Sequence, residues 1–351
     1  MVKMNDYGIS LYLGTGYEYN RYIIKKAYKY NAKYAFTSLN IPEEKSADYK
    51  NEIKSLLKLC KQNCLNLIID VEPKILEKLS FKTLEELKLA GITHLRLDYG
   101  FSNEDIINLS KEFNIVFNAS TLLEKDLLEL IKCGADFTKF YACHNFYPKE
   151  LTGLSLKKVA KLNRKYKDLG LKTIAFVAGD KILRGPIYSG LPTVEEHRQG
   201  DMLLNVLQLI KDAYTDICIV GDVDIKDESF KSLMELSNGY ISLHADIIDN
   251  YSFVKDIIHH DRPDSSEYVI RSQESRIYTS QGKRFNVEPT KERKKGSISI
   301  SNCNYLRYSG ELEIARKDLP IENRINIIGT VKNKDIEYLN YITDGMGFKF
   351  I

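Results

Sequence analysis

The strongest constraint on the fold is a repeated alternation of short apolar runs with longer amphipathic stretches over the first two thirds of the chain. Short apolar runs predict buried strands, and apolar residues spaced three and four apart predict helices. The predicted strands are 8–13, 34–39, 67–71, 94–98, 115–118, 137–142, 173–177 and 217–220. Eight strand-then-helix units predict an α/β protein with a closed (β/α)8 TIM barrel.

A doubly wound open sheet is the competing architecture. Its dinucleotide-binding form needs glycines at fixed positions after the first strand. Here Gly14 and Gly16 are followed by Tyr17, Glu18 and Tyr19, so the fingerprint fails. The barrel is therefore the better prediction.

The pattern changes near residue 240, where long helical periods give way to alternation. Ile298 and Ile300 alternate with three serines, as in a half-buried antiparallel strand. A chain of 351 residues is long enough for a barrel and an appended domain. We predict a catalytic barrel at 1–239 and a small, mostly β domain at 240–351.

Charge and hydropathy exclude several classes of protein. The chain has 51 basic and 48 acidic side chains, a net charge of +3, so a nucleic-acid-binding face is not expected. No apolar run approaches the roughly 20 residues that span a bilayer. With no signal peptide in the sequence and cysteines predicted to be free, Cys60 and Cys64 on one buried helix face among them, we expect a cytoplasmic protein. The sequence leaves the oligomeric state open, a homodimer included.

Active sites of such barrels lie at the C-terminal ends of the strands, so polar residues there are the candidates. Asp70 and Asp98 end adjacent predicted strands, and neighbouring strands lie about 4.8 Å apart. Two such carboxylates can divide into a proton donor and a nucleophile, as glycoside hydrolysis requires. Asp98 could instead pair with Arg96, and Asp70 could cap a helix. Glu43 is the third catalytic candidate. The candidate ligand contacts at other strand ends are Ser10, Tyr12, Asn118, His144, Asn145, Tyr147 and Asp222.

The segment after the seventh strand is rich in glycine and proline and contains Arg184. Loops after strands seven and eight often bind phosphate in these barrels, and arginine is a bidentate donor. His197 and Arg198 follow at the start of the next helix. We therefore predict a phosphate site here, although a loop that only packs would have the same composition.

Several motifs together resemble the MupG family of 6-phospho-N-acetylmuramidases. They are residues 36–43 (FTSLNIPE), 96–101 (RLDYGF), 118–120 (NAS), 144–148 (HNFYP), 152–155 (TGLS), 184–193 (RGPIYSGLPT), 197–198 (HR) and 307–312 (RYSGEL). The resemblance covers the whole chain, and the combination is specific although each piece is weak.

The resemblance implies hydrolysis of the β-1,4 bond between 6-phospho-N-acetylmuramic acid and N-acetylglucosamine in cell-wall recovery. It also implies a cyclophilin-like second domain, a phosphorylated amino-sugar disaccharide as substrate, and no cofactor or metal. The sequence departs from the family pattern at Asn40, where histidine is expected, at Leu151, and at the residue after Asp222. These departures concern secondary substrate contacts.

Three other functions remain open from sequence. Lys139 in the sixth predicted strand could form a Schiff base in an aldolase. A non-catalytic sugar-phosphate sensor would bind the same ligand and leave it intact. A divalent-metal isomerase would need a tight ligand motif, which the sequence lacks.

Overall fold

The computed structural model describes residues 6–38, 49–72, 81–97, 100–122 and 124–351. The chain divides into two compact units, one within Asn5–Met234 and one within Glu235–Ile351.

The first unit contains the predicted closed parallel barrel. Its strands follow the sequence order around the barrel, and β1 pairs with both β2 and β8, so the sheet has no free edge. The strands are β1 (Asp6–Ser10), β2 (Tyr34–Ser38), β3 (Asn66–Val71), β4 (Ile92–Leu97), β5 (Asn114–Asn118), β6 (Phe140–Cys143), β7 (Lys172–Val177) and β8 (Ile217–Val220).

Helices follow the strands on the outside of the barrel. Those in the described residues are α1 (Tyr17–Lys29), α2 (Tyr49–Gln62), α3 (Leu84–Leu89), α4 (Asn103–Glu112), α5 (Glu124–Lys132), α6 (Leu156–Asp168), α7 (Met202–Lys211) and α8 (Asp227–Ser237). Short polar side chains start several of them. Ser102 and Asp105 form a capping box on α4, and Ser155 and Asp201 cap α6 and α7.

The barrel interior is a packed apolar core. Because a parallel strand is covered on both faces, its sequence is almost continuously apolar, as in β2, β6 and β8. The central cluster comprises Tyr34, Phe36, Ile68, Val116, Tyr141, Cys143, Ile174, Phe176, Ile217 and Ile219. None of these side chains is more than 6% exposed, so the barrel is filled and the useful openings lie at its ends.

Two sequence-based predictions were wrong in detail. Residues Phe137–Lys139 form a 3-10 turn before β6, because the Asp136 carboxylate accepts the Thr138 amide at 3.0 Å and starts the turn. Cys60 is buried as predicted, but Cys64 is exposed, since α2 ends at Gln62.

The second unit is rich in strands, as predicted. One sheet has the order β10 (Ala245–Ile247), β15 (Ile325–Val331), β13 (Ser297–Ser301), β14 (Leu312–Ala315) and β12 (Val269–Arg271), all antiparallel. A three-stranded sheet combines β11 (His259–His260), β16 (Gly347–Phe350) and β9 (Tyr240–Leu243). A short helix, α9 (Ile277–Ser280), follows β12. Across both units, the described helices include none with the length and apolar character needed to cross a bilayer.

Candidate active site at the barrel mouth

A cavity of about 630 Å³ opens at the C-terminal ends of the strands. Its lining comes from the ends of β2, β3, β4, β6 and β7 and from the loops that follow β6 and β7. The lining residues are Phe36, Ser38, Asp70, Arg96, Asn145, Phe146, Tyr147, Pro148, Phe176, Arg184, Gly185, Pro186 and Ile187. This volume is in the range of ordinary small-ligand sites, and the position is that of TIM-barrel active sites.

One side of the cavity is a polar cluster centred on Arg96. Its Nη1 donates to Asp70 Oδ1 at 2.7 Å, and its Nη2 donates to Asn145 Oδ1 at 2.5 Å. The Asp70 and Arg96 side chains are 15% and 13% exposed, so the pair is largely desolvated yet open to the cavity. Arg96 therefore fixes the orientation of a carboxylate on β3 and an amide in the loop after β6.

The lining also includes an apolar cluster. Phe36, Phe146 and Phe176 meet edge to face, with ring centroids 5.1 Å apart for Phe36 and Phe176 and 5.2 Å apart for Phe146 and Phe176. Such contacts are a favourable arrangement of aromatic rings. The cavity can therefore bind a ligand with both an apolar face and charged groups.

Arg184 extends into the cavity from the loop between β7 and α7. Its guanidinium lies 4.4 Å from the centre of the Tyr12 ring, a cation–π distance. The Tyr12 hydroxyl donates to the carbonyl of Gly221 and is buried. Tyr12 is therefore a support for Arg184 within the fold, and its direct contact with substrate stays a prediction.

Arg198 and Glu195 hold the same loop from its far end. Arg198 binds both Glu195 carboxylate oxygens at 2.7 Å and donates to the carbonyls of Gly190 at 2.9 Å and Tyr147 at 3.0 Å. The Arg198 hydrogen bonds lower the pKa of Glu195 to about 2, and the amides of Leu151 and Gly153 act in the same direction. Arg198 therefore joins the loops after β6 and β7, and its contact with substrate stays a prediction.

Four other candidates are closed off in the fold. Ser10 is 2% exposed and donates to the carbonyl of Val220 at 2.7 Å. The His144 ring is buried against Asn163, and the His197 ring is buried against Gln208, each at 2.8 Å. Burial lowers the pKa of both histidines, so both are neutral at pH 7. Asp222 is 1% exposed and binds backbone amides. All four side chains are thus bonded within the fold, and their contact with substrate stays a prediction.

The remaining candidates separate into three groups. Asp70, Asn145, Tyr147 and Arg184 line the cavity as predicted. Asn118 lies instead in a separate cavity of about 360 Å³ between β5, α4 and α5. Asp98 and Glu43 fall outside the described residues. The pairing of β3 with β4 sets Asp70 opposite Arg96.

Sequence reasoning underrated Arg96 and missed Glu195. Arg96 had been weighed only as a partner of Asp98, although its place in β4 put it on the register row of Asp70. Glu195 has no recognisable motif, because its role depends on loop backbone amides that the sequence does not bring together.

Lys139 does not reach the mouth. It lies before β6, at the N-terminal end of that strand, and its Nζ donates to the carbonyls of Ser110 at 3.2 Å and Lys111 at 3.4 Å. This place, at the opposite end of the barrel from the cavity, does not favour the Schiff-base alternative. Within the described ranges, no three His, Cys, Asp or Glu side chains are grouped to hold a metal ion.

A groove of about 660 Å³ on the outer surface of α6 is slightly larger than the mouth cavity. Lys157, Lys161, Arg164 and Lys165 line it with Asp168, and it contains no polar group from a strand end. This small difference in volume does not separate the two sites, but the groove has only one carboxylate, that of Asp168, among surface cations. The mouth cavity is the candidate active site because its charged groups are fixed by partners.

Two family profiles together match nearly the whole chain. The profile described as 6-phospho-N-acetylmuramidase, N-terminal (MupG_N), matches residues 7–235, and its C-terminal counterpart (MupG_C) matches residues 241–351. A conserved Enterococcus faecalis protein, whose crystal structure is titled as having an unknown function, is 31% identical. That match covers 99% of this chain and 96% of the other, with a TM-score of 0.75.

A Bacillus cereus protein, titled as uncharacterized, is 26% identical over 99% of both chains, with a TM-score of 0.77. No curated protein matched.

Proposed function

Because the chain belongs to the MupG family of 6-phospho-N-acetylmuramidases, we propose that it is a glycosidase of that specificity. It hydrolyses the β-1,4 bond between 6-phospho-N-acetylmuramic acid and N-acetylglucosamine, in the recovery of cell-wall fragments. The observation that carries the proposal is one cavity with two separate charged features. Asp70 is fixed by Arg96 on one side, and Arg184 extends from the loop after β7.

Asp70 is assigned the ionised role in the reaction, as nucleophile or as base. The Arg96 guanidinium forms an ion pair with this carboxylate, with its Nη1 2.7 Å from Asp70 Oδ1. The same guanidinium holds the carboxylate in one orientation, which supports attack on the anomeric carbon or on a water beside it. The bond from the anomeric carbon to the glycosidic oxygen breaks as the new bond forms.

The leaving oxygen of N-acetylglucosamine needs a proton from a second carboxyl group. Asp98 is the first candidate and Glu43 the second, and both remain proposals because they lie outside the described residues. Both stereochemical courses use such a pair. Proton NMR of the first-formed anomer separates retention from inversion.

Arg184 is assigned to the 6-phosphate. Arginine binds phosphate through two parallel hydrogen bonds, and Tyr12 limits the motion of its guanidinium. Asn145 and Tyr147 are proposed to bind polar groups of the sugars, while the rings of Phe36, Phe146 and Phe176 pack against apolar ring faces. Together these groups would distinguish a phosphorylated sugar from a neutral one.

The test is incubation of the full-length protein with the phosphorylated disaccharide, followed by mass spectrometry of the products. We expect 6-phospho-N-acetylmuramic acid and N-acetylglucosamine, with one water added across the bond. The unphosphorylated disaccharide is the control and should react far more slowly. Binding without any cleavage would contradict the proposal and favour the sensor.

A further inference from the structure

Asp222 follows β8 and holds the loop between β7 and α7 at three separate points. Its Oδ2 accepts the amides of Gly179 at 2.7 Å and Leu191 at 3.0 Å, and its Oδ1 accepts the amide of Arg184 at 2.8 Å. Only 1% of the residue is exposed. One buried carboxylate therefore fixes the loop at Gly179, Arg184 and Leu191.

The loop sequence allows this close approach. A Cβ on Gly179 would lie 2.7 Å from the Cβ of Asp222, so only glycine fits there without movement. Gly190 has a φ of +81°, a conformation that L side chains rarely adopt, and it directs the next amide, that of Leu191, onto the carboxylate. The contact with Asp222 is thus built into the loop at two glycines.

Both the backbone and the side chain of Arg184 are connected to the turn at residues 221–222. Its amide is bound by Asp222, and its guanidinium lies over Tyr12. The Tyr12 hydroxyl in turn donates to the carbonyl of Gly221, the residue before Asp222. Moving the turn at 221–222 would therefore move the cation in the cavity.

We propose that Asp222 is a positioning residue that sets the preference of the cavity for phosphorylated sugars by fixing Arg184. This inference rests on the proposed function. Asp222 does not touch the substrate, since its carboxylate is buried among backbone amides. It acts by ordering Arg184 before the ligand arrives, so that binding does not have to order the loop.

The test is Asp222→Asn in the full-length protein. Asparagine has the same shape but one accepting oxygen. That oxygen can keep the two amides of Gly179 and Leu191, which leaves the NH2 group facing the amide of Arg184. The specificity ratio is kcat/KM for the phosphorylated disaccharide divided by that for the unphosphorylated one. It is measured for the wild type, Asp222→Asn, Arg184→Ala and the double variant.

We expect the ratio to fall about tenfold or more in Asp222→Asn, while kcat/KM for the unphosphorylated disaccharide changes little. The double variant should be no less selective than Arg184→Ala alone, because both changes remove one function. Additive losses, or an unchanged ratio in Asp222→Asn, would overturn the proposal.

Asp216→Asn is the matched control. Asp216 is also a buried aspartate next to β8, and it accepts the amide of Thr173 at 3.0 Å at the other end of the barrel. This variant should lose stability and keep the specificity ratio. A fall of the ratio in Asp216→Asn equal to that in Asp222→Asn would reduce the effect to general destabilisation and overturn the proposal.

Hydrogen exchange on the wild type covers the case in which Asp222→Asn does not fold. The amides of Gly179, Arg184 and Leu191 should be strongly protected without ligand. Exchange of the Arg184 amide at the unprotected rate would contradict the positioning role. If neither disaccharide is cleaved, the proposed function fails. Calorimetry then measures the affinity of the folded variants for 6-phospho-N-acetylmuramic acid and for its unphosphorylated form. An unchanged preference for the phosphorylated form in Asp222→Asn would overturn the positioning role.

Discussion

The two ends of the barrel are its mouth, at the C-terminal ends of the strands, and its floor, at their N-terminal ends. Each contains a buried aspartate, and the two aspartates have different roles. Asp216 comes before β8 and Asp222 after it, and both are buried carboxylates that accept backbone amides. Asp216 joins the start of β7 to Lys167 on α6, at 2.7 Å. Asp222 holds a loop that borders a cavity. A buried carboxylate that accepts backbone amides therefore stabilises the barrel at the floor. At the mouth the same contact also positions a side chain that can bind a ligand.

The floor also differs from the mouth in how it treats charge. His94 lies among Tyr34 and Tyr141, with ring centroids 5.6 Å and 4.9 Å away. Burial lowers the pKa of His94 to about 3, and Lys172 contributes in the same direction. The floor therefore keeps its titratable ring neutral, while the mouth keeps Asp70 and Arg96 as a pair open to the cavity.

The largest expected effect is at the mouth, on Asp70. Asp70→Asn removes the negative charge and keeps the shape, so we expect turnover of the phosphorylated disaccharide to fall by about 10²–10⁴-fold. The measurement is the initial rate at saturating substrate, with a thermal unfolding curve to establish that the variant is folded. Turnover within a few-fold of the wild type would remove Asp70 from the catalytic pair.

The second effect concerns Arg184. Arg184→Ala should lower the preference for phosphorylated over unphosphorylated disaccharide by about 10- to 150-fold, since a charge-assisted contact contributes about 1.5–3 kcal/mol. The comparison of kcat/KM values for the two substrates measures it. A variant with an undiminished preference would place the phosphate elsewhere.

The third effect is at the floor and acts on stability alone. The one accepting oxygen of Asp216→Asn can keep the Thr173 amide and hydroxyl, but its NH2 group then faces the Lys167 ammonium, so the free energy of unfolding should fall by about 1–3 kcal/mol. Denaturant titration measures this loss, and the rate on the phosphorylated disaccharide should stay close to that of the wild type. A large loss of rate in a fully folded variant would break the division between floor and mouth.

The fourth effect is a change in how steeply the free energy of unfolding varies with pH. Between pH 6.5 and about 3, the unfolded chain binds a proton at His94 that the folded protein does not. The free energy of unfolding therefore falls as the pH falls, by up to about 1.4 kcal/mol per pH unit from this residue. His94→Gln removes this contribution. From pH 7 to pH 5, the free energy of unfolding should fall less for the variant than for the wild type. An equal fall in the two proteins would contradict a neutral buried His94.

The sequence was enough to predict the barrel because strand and helix periods are visible in it. It did not predict the start of β6. Phe137 and Phe140 are both apolar and both fit a strand pattern, but the cap at Asp136 places Phe137 in a turn before the strand. The family resemblance and the change of pattern near residue 240 were enough to predict a strand-rich second unit.

The site was only partly predictable. Position at a strand end identified Asp70, Asn145 and Arg184, because the topology brings such ends together. The same rule also selected Ser10, His144 and Asp222, which are turned into the fold. A polar residue at a strand end can face the cavity or satisfy a buried backbone group, and the choice depends on partners that are distant in sequence.

The most direct test of the account is a crystal structure of full-length Asp70→Asn with the phosphorylated disaccharide bound. We expect the 6-phosphate to bind the Arg184 guanidinium and the glycosidic bond to lie beside residue 70, within the cavity at the C-terminal ends of the strands. A disaccharide bound in the α6 groove, or with its phosphate away from Arg184, would contradict it.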